Sequence, residues 1–171
     1  MEWADGGDLD SLIQRHAKAR TYMSEDQVLG YFVQLITALG HVHAVGIMHR
    51  DIKANNVFMT SQGLLKLGDF GISKVVDVLG TTSNSGSGGK GTSTGTSSSG
   101  LSVQPSRGVW AHSFVGTPNY LAPEMVACEG YGFKADIWAA GCVLYEMAAL
   151  KPAFRVSSCS PMGGGVQVLP M

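Results

Sequence analysis

His49-Arg50-Asp51-Ile52-Lys53-Ala54-Asn55-Asn56 is the stretch that decides the fold, and two shorter phrases follow it in order, Asp69-Phe70-Gly71 and Ala122-Pro123-Glu124. Asp51, Lys53 and Asn56 put a carboxylate, an ammonium and an amide on one short segment, and Asp69 adds a second carboxylate. Phosphoryl transfer calls for that set: a base near the acceptor hydroxyl, oxygen ligands for Mg²⁺, and an ordered segment to hold the acceptor. Each tripeptide alone is weak. Their order, with Lys53 and Asn56 at fixed offsets after Asp51, is hard to obtain by chance.

Outward from this stretch, the local patterns describe a scaffold. Val57–Met59 and Leu64–Leu67 are short apolar runs separated by Thr60, Ser61, Gln62 and Gly63, which reads as a small hairpin. The first phrase precedes it and the second follows it, so both sit on loops at one end of the hairpin, where a rigid element can present functional side chains. Upstream, Ser24 with Gln27 makes a capping box, and Val28, Phe32, Leu35, Leu39 and Val42 recur at helical spacing. A helix is expected from about Glu25 to about His43, ending near Gly46. A shorter helix is expected to hold Leu9, Leu12 and Ile13 after the Gly6-Gly7 turn. Downstream, Asp136 to about Leu150 is apolar almost all round, the pattern of a helix buried on every side.

Between Gly80 and Gly100 every residue is Gly, Ser or Thr except Asn84 and Lys90, so no core can form there and a flexible linker is expected. The 171 residues otherwise suit one domain with an ordinary core. A formal charge of −1 with no Lys/Arg run argues against a nucleic acid or an anionic membrane as partner. Cys128, Cys142 and Cys159 show neither a disulfide framework nor zinc-ligand spacing. The first residues lack the profile of a signal peptide, and the Ile137–Leu150 stretch is too short to span a bilayer. An intracellular, cytoplasmic setting is therefore expected.

Together these phrases resemble the catalytic domain of serine/threonine protein kinases, and more narrowly the NIMA-related kinases. Met1–Leu9, Leu67–Ile72, Val115–Leu121 and Asp136–Trp138 leading to Gly141–Glu146 carry the narrower likeness. The resemblance implies an α+β, protein kinase-like fold, present in part: a mostly α-helical C-terminal lobe with a small β-hairpin. It covers residues 1–154 with a Ser/Gly/Thr-rich insertion at 80–108, and leaves 155–171 as a tail unlike the family and expected to be disordered. The insertion roughly doubles the segment it interrupts, which costs only about 0.6 kcal/mol in closure entropy.

The same resemblance implies ATP and Mg²⁺ as cofactors, a protein as substrate, and roles for individual residues. Asp51 matches the aspartate that accepts or orients the proton of the acceptor hydroxyl, and Lys53 the lysine that offsets charge on the transferring group. Asn56 and Asp69 match the Mg²⁺ ligands. Glu2 and Ala4 match the hinge that meets adenine with its backbone, and Phe58 the floor of the adenine pocket, although ordinary hairpin packing explains Phe58 as well. His49 matches a structural histidine, and Asp136 an aspartate that caps the amides of the Asp51 loop. Ser113 lies where relatives carry an activating phosphate, which Arg50 could pair with. Thr117 matches the threonine that touches Asp51 and Lys53. His16, His41, His43 and His112 are expected to be surface or packing residues.

The chain departs from the family pattern at both ends. No glycine-rich loop or lysine–glutamate pair precedes Met1, and after Phe154 the later helices of the large lobe do not follow. The Asp136 helix is then expected to lack apolar cover on one side, and the chain alone to fold poorly and transfer little phosphate. Two alternatives to an active kinase follow: a catalytically dead, kinase-derived interaction module, or a truncated gene model lacking the N-terminal lobe. Oligomeric state and location at a cytoskeleton or cilium have no sequence signal.

Overall fold

A computed structural model describes residues 4–75, 117–157 and 167–170. Glu2 and the rest of 1–3, the insertion at 80–108, Ser113, and the middle of the tail lie outside the described residues. Helix α1 spans Leu9–Ala19, opened by the Asp8 side chain accepting the Ser11 amide at 2.7 Å. Helix α2 spans Glu25–Ala44. Its capping box is formed as the sequence specifies, with the Ser24 hydroxyl accepting the Gln27 amide and the Gln27 side chain accepting the Ser24 amide. Gly46, at φ 75°, turns the chain out of α2 in a conformation that favours glycine.

Strand β1 (Ile47–Met48) pairs antiparallel with β4 (Lys74–Val75), and between them lies the antiparallel hairpin of β2 (Val57–Met59) and β3 (Leu65–Leu67). The His49–Asn56 segment connects β1 to β2, and Gly68–Ser73 connects β3 to β4. Both chemical phrases therefore sit on loops at one end of the hairpin. The segment after the expected hinge is held to the hairpin by backbone bonds, Gly6 N–H to Met59 O at 2.8 Å and Met59 N–H to Gly7 O at 2.7 Å. So close is this approach that a Cβ on Gly6 would lie 2.8 Å from the carbonyl oxygens of Met59 and Thr60. Backbone cannot move aside as a side-chain tip can. Gly6→Ala is expected to cost about 1–3 kcal/mol, a fall of several degrees in melting temperature by differential scanning fluorimetry.

Downstream come the short helix α3 (Pro123–Val126) and the long helix α4 (Lys134–Ala149). One core joins α1, α2, the hairpin and α4 through Leu9, Ile13, Leu35, Leu39, Val57 and Val143, and a second gathers Met48, Leu121, Met125 and Tyr131 beneath α3. Each fully buried aliphatic side chain contributes about 1.5–3 kcal/mol, so this core fixes α2 and α4 against the hairpin and holds the loops at its end.

Of the two expectations for helix α4, burial on every side is not met and an uncovered side is: Ile137 is 48% exposed, Trp138 38% and Tyr145 37%. Ala135, Asp136, Ala139, Ala140, Val143 and Met147 form its buried face. Both faces are apolar in composition, so periodicity cannot tell which one is covered. The tail expected to be disordered is described only at residues 155–157 and 167–170. There, β5 (Phe154–Ser157) pairs antiparallel with β6 (Gln167–Pro170), and Trp138 stacks on Phe154 with centroids 5.5 Å apart.

Candidate active site

The loop from His49 to Asn56 is held from below by one buried carboxylate. Asp136, 1% exposed at the start of α4, accepts the Arg50 amide on Oδ1 at 2.8 Å and the His49 amide on Oδ2 at 2.9 Å. These bonds hold Arg50 at φ 69°, a left-handed conformation that a non-glycine residue adopts only when its surroundings demand it. The sequence places Asp136 correctly. It misses the third partner: His43 Nε2, from the last turn of α2, lies 2.8 Å from the same Oδ2. His43 and Asp136 stand 93 residues apart, so no spacing could reveal the pair.

His49 is fully buried and behaves as the structural histidine expected. Its Nε2 donates to the Gly68 carbonyl at 3.0 Å, while its Nδ1 accepts the Asp51 amide at 3.3 Å. Burial holds its pKa below the ordinary histidine value, in keeping with a neutral ring whose nitrogens are both committed to backbone. The Phe70 ring stands 4.7 Å from it, which ties the Asp69 loop to the Asp51 loop.

Asp51 is the hub. Its Oδ2 accepts Lys53 Nζ at 2.7 Å and Asn56 Nδ2 at 2.9 Å, and its Oδ1 accepts the Thr117 hydroxyl at 3.0 Å. Lys53 Nζ also lies 3.1 Å from Thr117 Oγ1, closing a triangle across 66 residues of chain. Burial pushes the Asp51 carboxyl up, but the donors from Lys53, Thr117 and Asn56 together outweigh it and leave the pKa below the ordinary aspartate value. Asp51 is therefore ionised at neutral pH.

Asn56, 5% exposed, gives its amide nitrogen to the Asp51 main-chain carbonyl at 2.8 Å as well as to the carboxylate, which leaves its oxygen as the group to offer a cation. Gly68 N–H donates to Asn56 O at 3.0 Å, so Asp69 follows immediately after the point where the two loops join. Asp69 is itself at φ 59°, with Oδ1 accepting the Gly71 amide at 3.3 Å. One amide oxygen and one carboxylate suit Mg²⁺, which takes one or two protein oxygens and completes its octahedron with phosphate and water. Among the described residues no group of three His, Cys, Asp or Glu could hold a metal without such help.

Phe58 is half-buried, and its ring lies so close to Gly68 that a Cβ there would come within 2.8 Å of it. Hairpin packing thus accounts for its position, and a face toward a nucleotide is compatible with it. Ala4, partly buried, is the first described residue and leads into the Gly6–Gly7 pairing. Arg50 Nε donates to the Ile72 carbonyl at 2.5 Å, linking the His49–Asn56 loop to the segment after Gly71.

A second buried polar pair was also illegible. Tyr120, in the turn after Thr117, donates its hydroxyl to Glu146 Oε2 at 2.5 Å from helix α4. A carboxylate in the middle of an apolar helix is the one signal that pointed to it. Burial raises the Glu146 pKa, the Tyr120 hydroxyl lowers it in part, and the charge of Asp10 adds to the rise. A carboxyl with a raised folded pKa binds its proton more tightly folded than unfolded, so stability is greatest below the ordinary carboxylate range and falls as pH rises through the raised value. Glu146→Gln is expected to remove that loss. Its melting temperature, compared with the parent, should be relatively higher at about pH 8 than at about pH 5.

A protein kinase domain model matches residues 1–162. The chain is 39% identical over 158 residues to the serine/threonine-protein kinase Nek1 of Mus musculus, covering 92% of this chain and 11% of that protein. It is 33% identical over 171 residues to the probable serine/threonine-protein kinase nek2 of Dictyostelium discoideum, covering 98% and 34%. Against the serine/threonine-protein kinase Nek2 of Mus musculus it is 35% identical over 172 residues, covering 98% and 32%. The chain thus spans between 11% and 34% of the length of these relatives. The matched region contains the Asp51 hub, the Asp69 loop and the Asp136 anchor, and with them the chain belongs to the protein kinase domain family and is similar to its Nek members.

Proposed function

We propose that this chain carries the catalytic and metal-binding loops of a kinase that uses ATP and Mg²⁺ to phosphorylate serine or threonine hydroxyls of proteins. The observation that carries the reading is the triangle of Asp51, Lys53 and Thr117. Its carboxylate already accepts a hydroxyl hydrogen, from Thr117 at 3.0 Å, and an acceptor hydroxyl brought to the same oxygen would be oriented in the same way. Because its pKa is low, Asp51 acts mainly by aligning the hydroxyl and takes the proton as the bond to phosphorus forms.

Bound Mg²⁺ and ATP supply the γ-phosphoryl group and neutralise charge on the phosphates. Asn56 and Asp69 would hold the metal by oxygen, and Lys53 would lend positive charge to the transferring group. Glu2, Ala4 and Phe58 belong to the adenine side of the site in this reading. In this reading Thr117 belongs to the start of an acceptor-binding segment, and its bond to Asp51 supports a protein substrate over a small molecule. Ser113, when phosphorylated, would draw on the Arg50 guanidinium and order the segment before Thr117.

The test is phosphate transfer by a purified polypeptide carrying this chain, with Mg²⁺, labelled ATP and peptides that differ only in having Ser, Thr or Tyr. Label on Ser and Thr peptides that disappears with chelator is the expected result. Label confined to tyrosine, or to small-molecule alcohols, would overturn the assignment.

A further inference from the structure

Helix α2 touches the hairpin through an apolar core, but one polar side chain joins them as well. Gln34 Oε1 accepts the Leu65 amide at 2.9 Å, and its Nε2 lies 3.4 Å from the Gly63 carbonyl, with the Gly30 carbonyl of its own helix also at 3.4 Å. The turn is otherwise closed on itself: Thr60 N–H bonds Leu64 O at 2.9 Å, Gly63 N–H bonds Thr60 O at 2.9 Å, and Leu64 N–H bonds Thr60 Oγ1 at 3.1 Å. Gly63 O and Leu65 N are thus the groups turned toward α2. In a parallel ladder a single residue accepts from one N–H and donates to the carbonyl two residues earlier on its neighbour. The Gln34 carboxamide does the same opposite Leu64, so it stands in for one residue of a third strand at the open edge of β3.

We propose that Gln34 is a positioning residue for the metal-binding groups, fixing the register of β3 so that Asp69 arrives beside Asn56. Apolar contacts between α2 and β3 tolerate small slides, whereas a fork of one donor and one acceptor does not. At the far end of the hairpin the same register is read out by Gly68, whose N–H reaches Asn56 O at 3.0 Å and whose carbonyl takes His49 Nε2 at 3.0 Å. Pinned at both ends, the hairpin presents Asn56 and Asp69 at a fixed offset. The inference rests on the proposed metal role of those residues.

Two variants of the whole chain test it, Gln34→Met, which keeps length and removes the fork, and Gln34→Glu, which keeps the oxygen that accepts Leu65 N–H. Amide hydrogen exchange at single-residue resolution is the first readout. In Gln34→Met, exchange at Leu65 and Gly68 is expected to rise about tenfold while Leu39 in α2 stays unchanged, and in Gln34→Glu much of the protection returns. The second readout is NMR line broadening by Mn²⁺ in the presence of ATP. The parent should broaden Asn56 and Asp69 amides together, Gln34→Met should lose the effect at Asp69 several-fold more than at Asn56, and Gln34→Glu should restore it. Parent-like exchange at Gly68 in Gln34→Met, or equal loss of protection across α2, would overturn the proposal. Absence of Mn²⁺ broadening in the parent would instead sink the metal reading, with exchange at Gly68 still deciding the role of Gln34.

Discussion

Asp51→Asn is expected to lower phosphate transfer by about 10²- to 10⁴-fold in an active polypeptide that carries this chain. Asparagine keeps the volume and one acceptor oxygen, so either Lys53 and Asn56 together or Thr117 keeps its acceptor, but the charge that aligns the acceptor hydroxyl is gone. The NH₂ group it introduces also faces donors. Asp51 Oδ2 now receives both Lys53 and Asn56, and Oδ1 receives Thr117, so whichever oxygen becomes nitrogen meets at least one of them. The KM for a peptide substrate should change far less than kcat, since the lost interaction acts chiefly in the transition state. Steady-state kinetics with a Ser peptide, alongside a melting curve to show that the fold survives, decides the matter. Activity within a few-fold of the parent would remove Asp51 from its assigned role.

Asp136→Ala should have the largest effect on the fold itself. It strips the acceptor from the buried His49 amide, the part-buried Arg50 amide and His43 in one step. A buried amide left without a partner costs about 1–3 kcal/mol, so the two amides together account for at most about 6 kcal/mol. Domains of this kind are stable by only about 5–15 kcal/mol. The expected result is a fall of roughly 5–20 °C in melting temperature, with fast amide exchange at His49 and Arg50 even under conditions where α2 stays protected. Arg50 would also lose the constraint that holds it at φ 69°. Asp136→Asn keeps one acceptor and should fall between the two. A melting temperature equal to the parent's would show that the loop carries its own conformation.

Much of this could be read along the chain because local rules govern it. The capping box of α2, the stripe of Val28, Leu35 and Leu39, and the two strands of the hairpin all follow from short-range chemistry, and each appears where spacing put it, give or take a residue. Leu64 falls outside β3, and α4 begins at Lys134 rather than Asp136. Partners far apart were a different matter. His43 looked like any surface histidine until the fold brought it to Asp136, and Glu146 had no visible partner until Tyr120 arrived from 26 residues away. Which side of α4 lies uncovered was equally hidden, because an apolar residue shows that it can be buried and not that something lies against it.

Read along the chain alone, Asp51, Lys53, Asn56 and Asp69 are the candidate groups for phosphoryl transfer, and their identity and order need no coordinates to state. Tertiary structure alone decided how they are held: a carboxylate on α4 anchors the loop, a hydroxyl on the far side of the insertion closes on Asp51, and a glutamine on α2 takes hold of the hairpin. The physical reason is range. Side-chain chemistry and helix or strand periodicity are properties of a few consecutive residues, whereas a hydrogen bond between segments exists only after the hydrophobic core has brought them within about 3 Å.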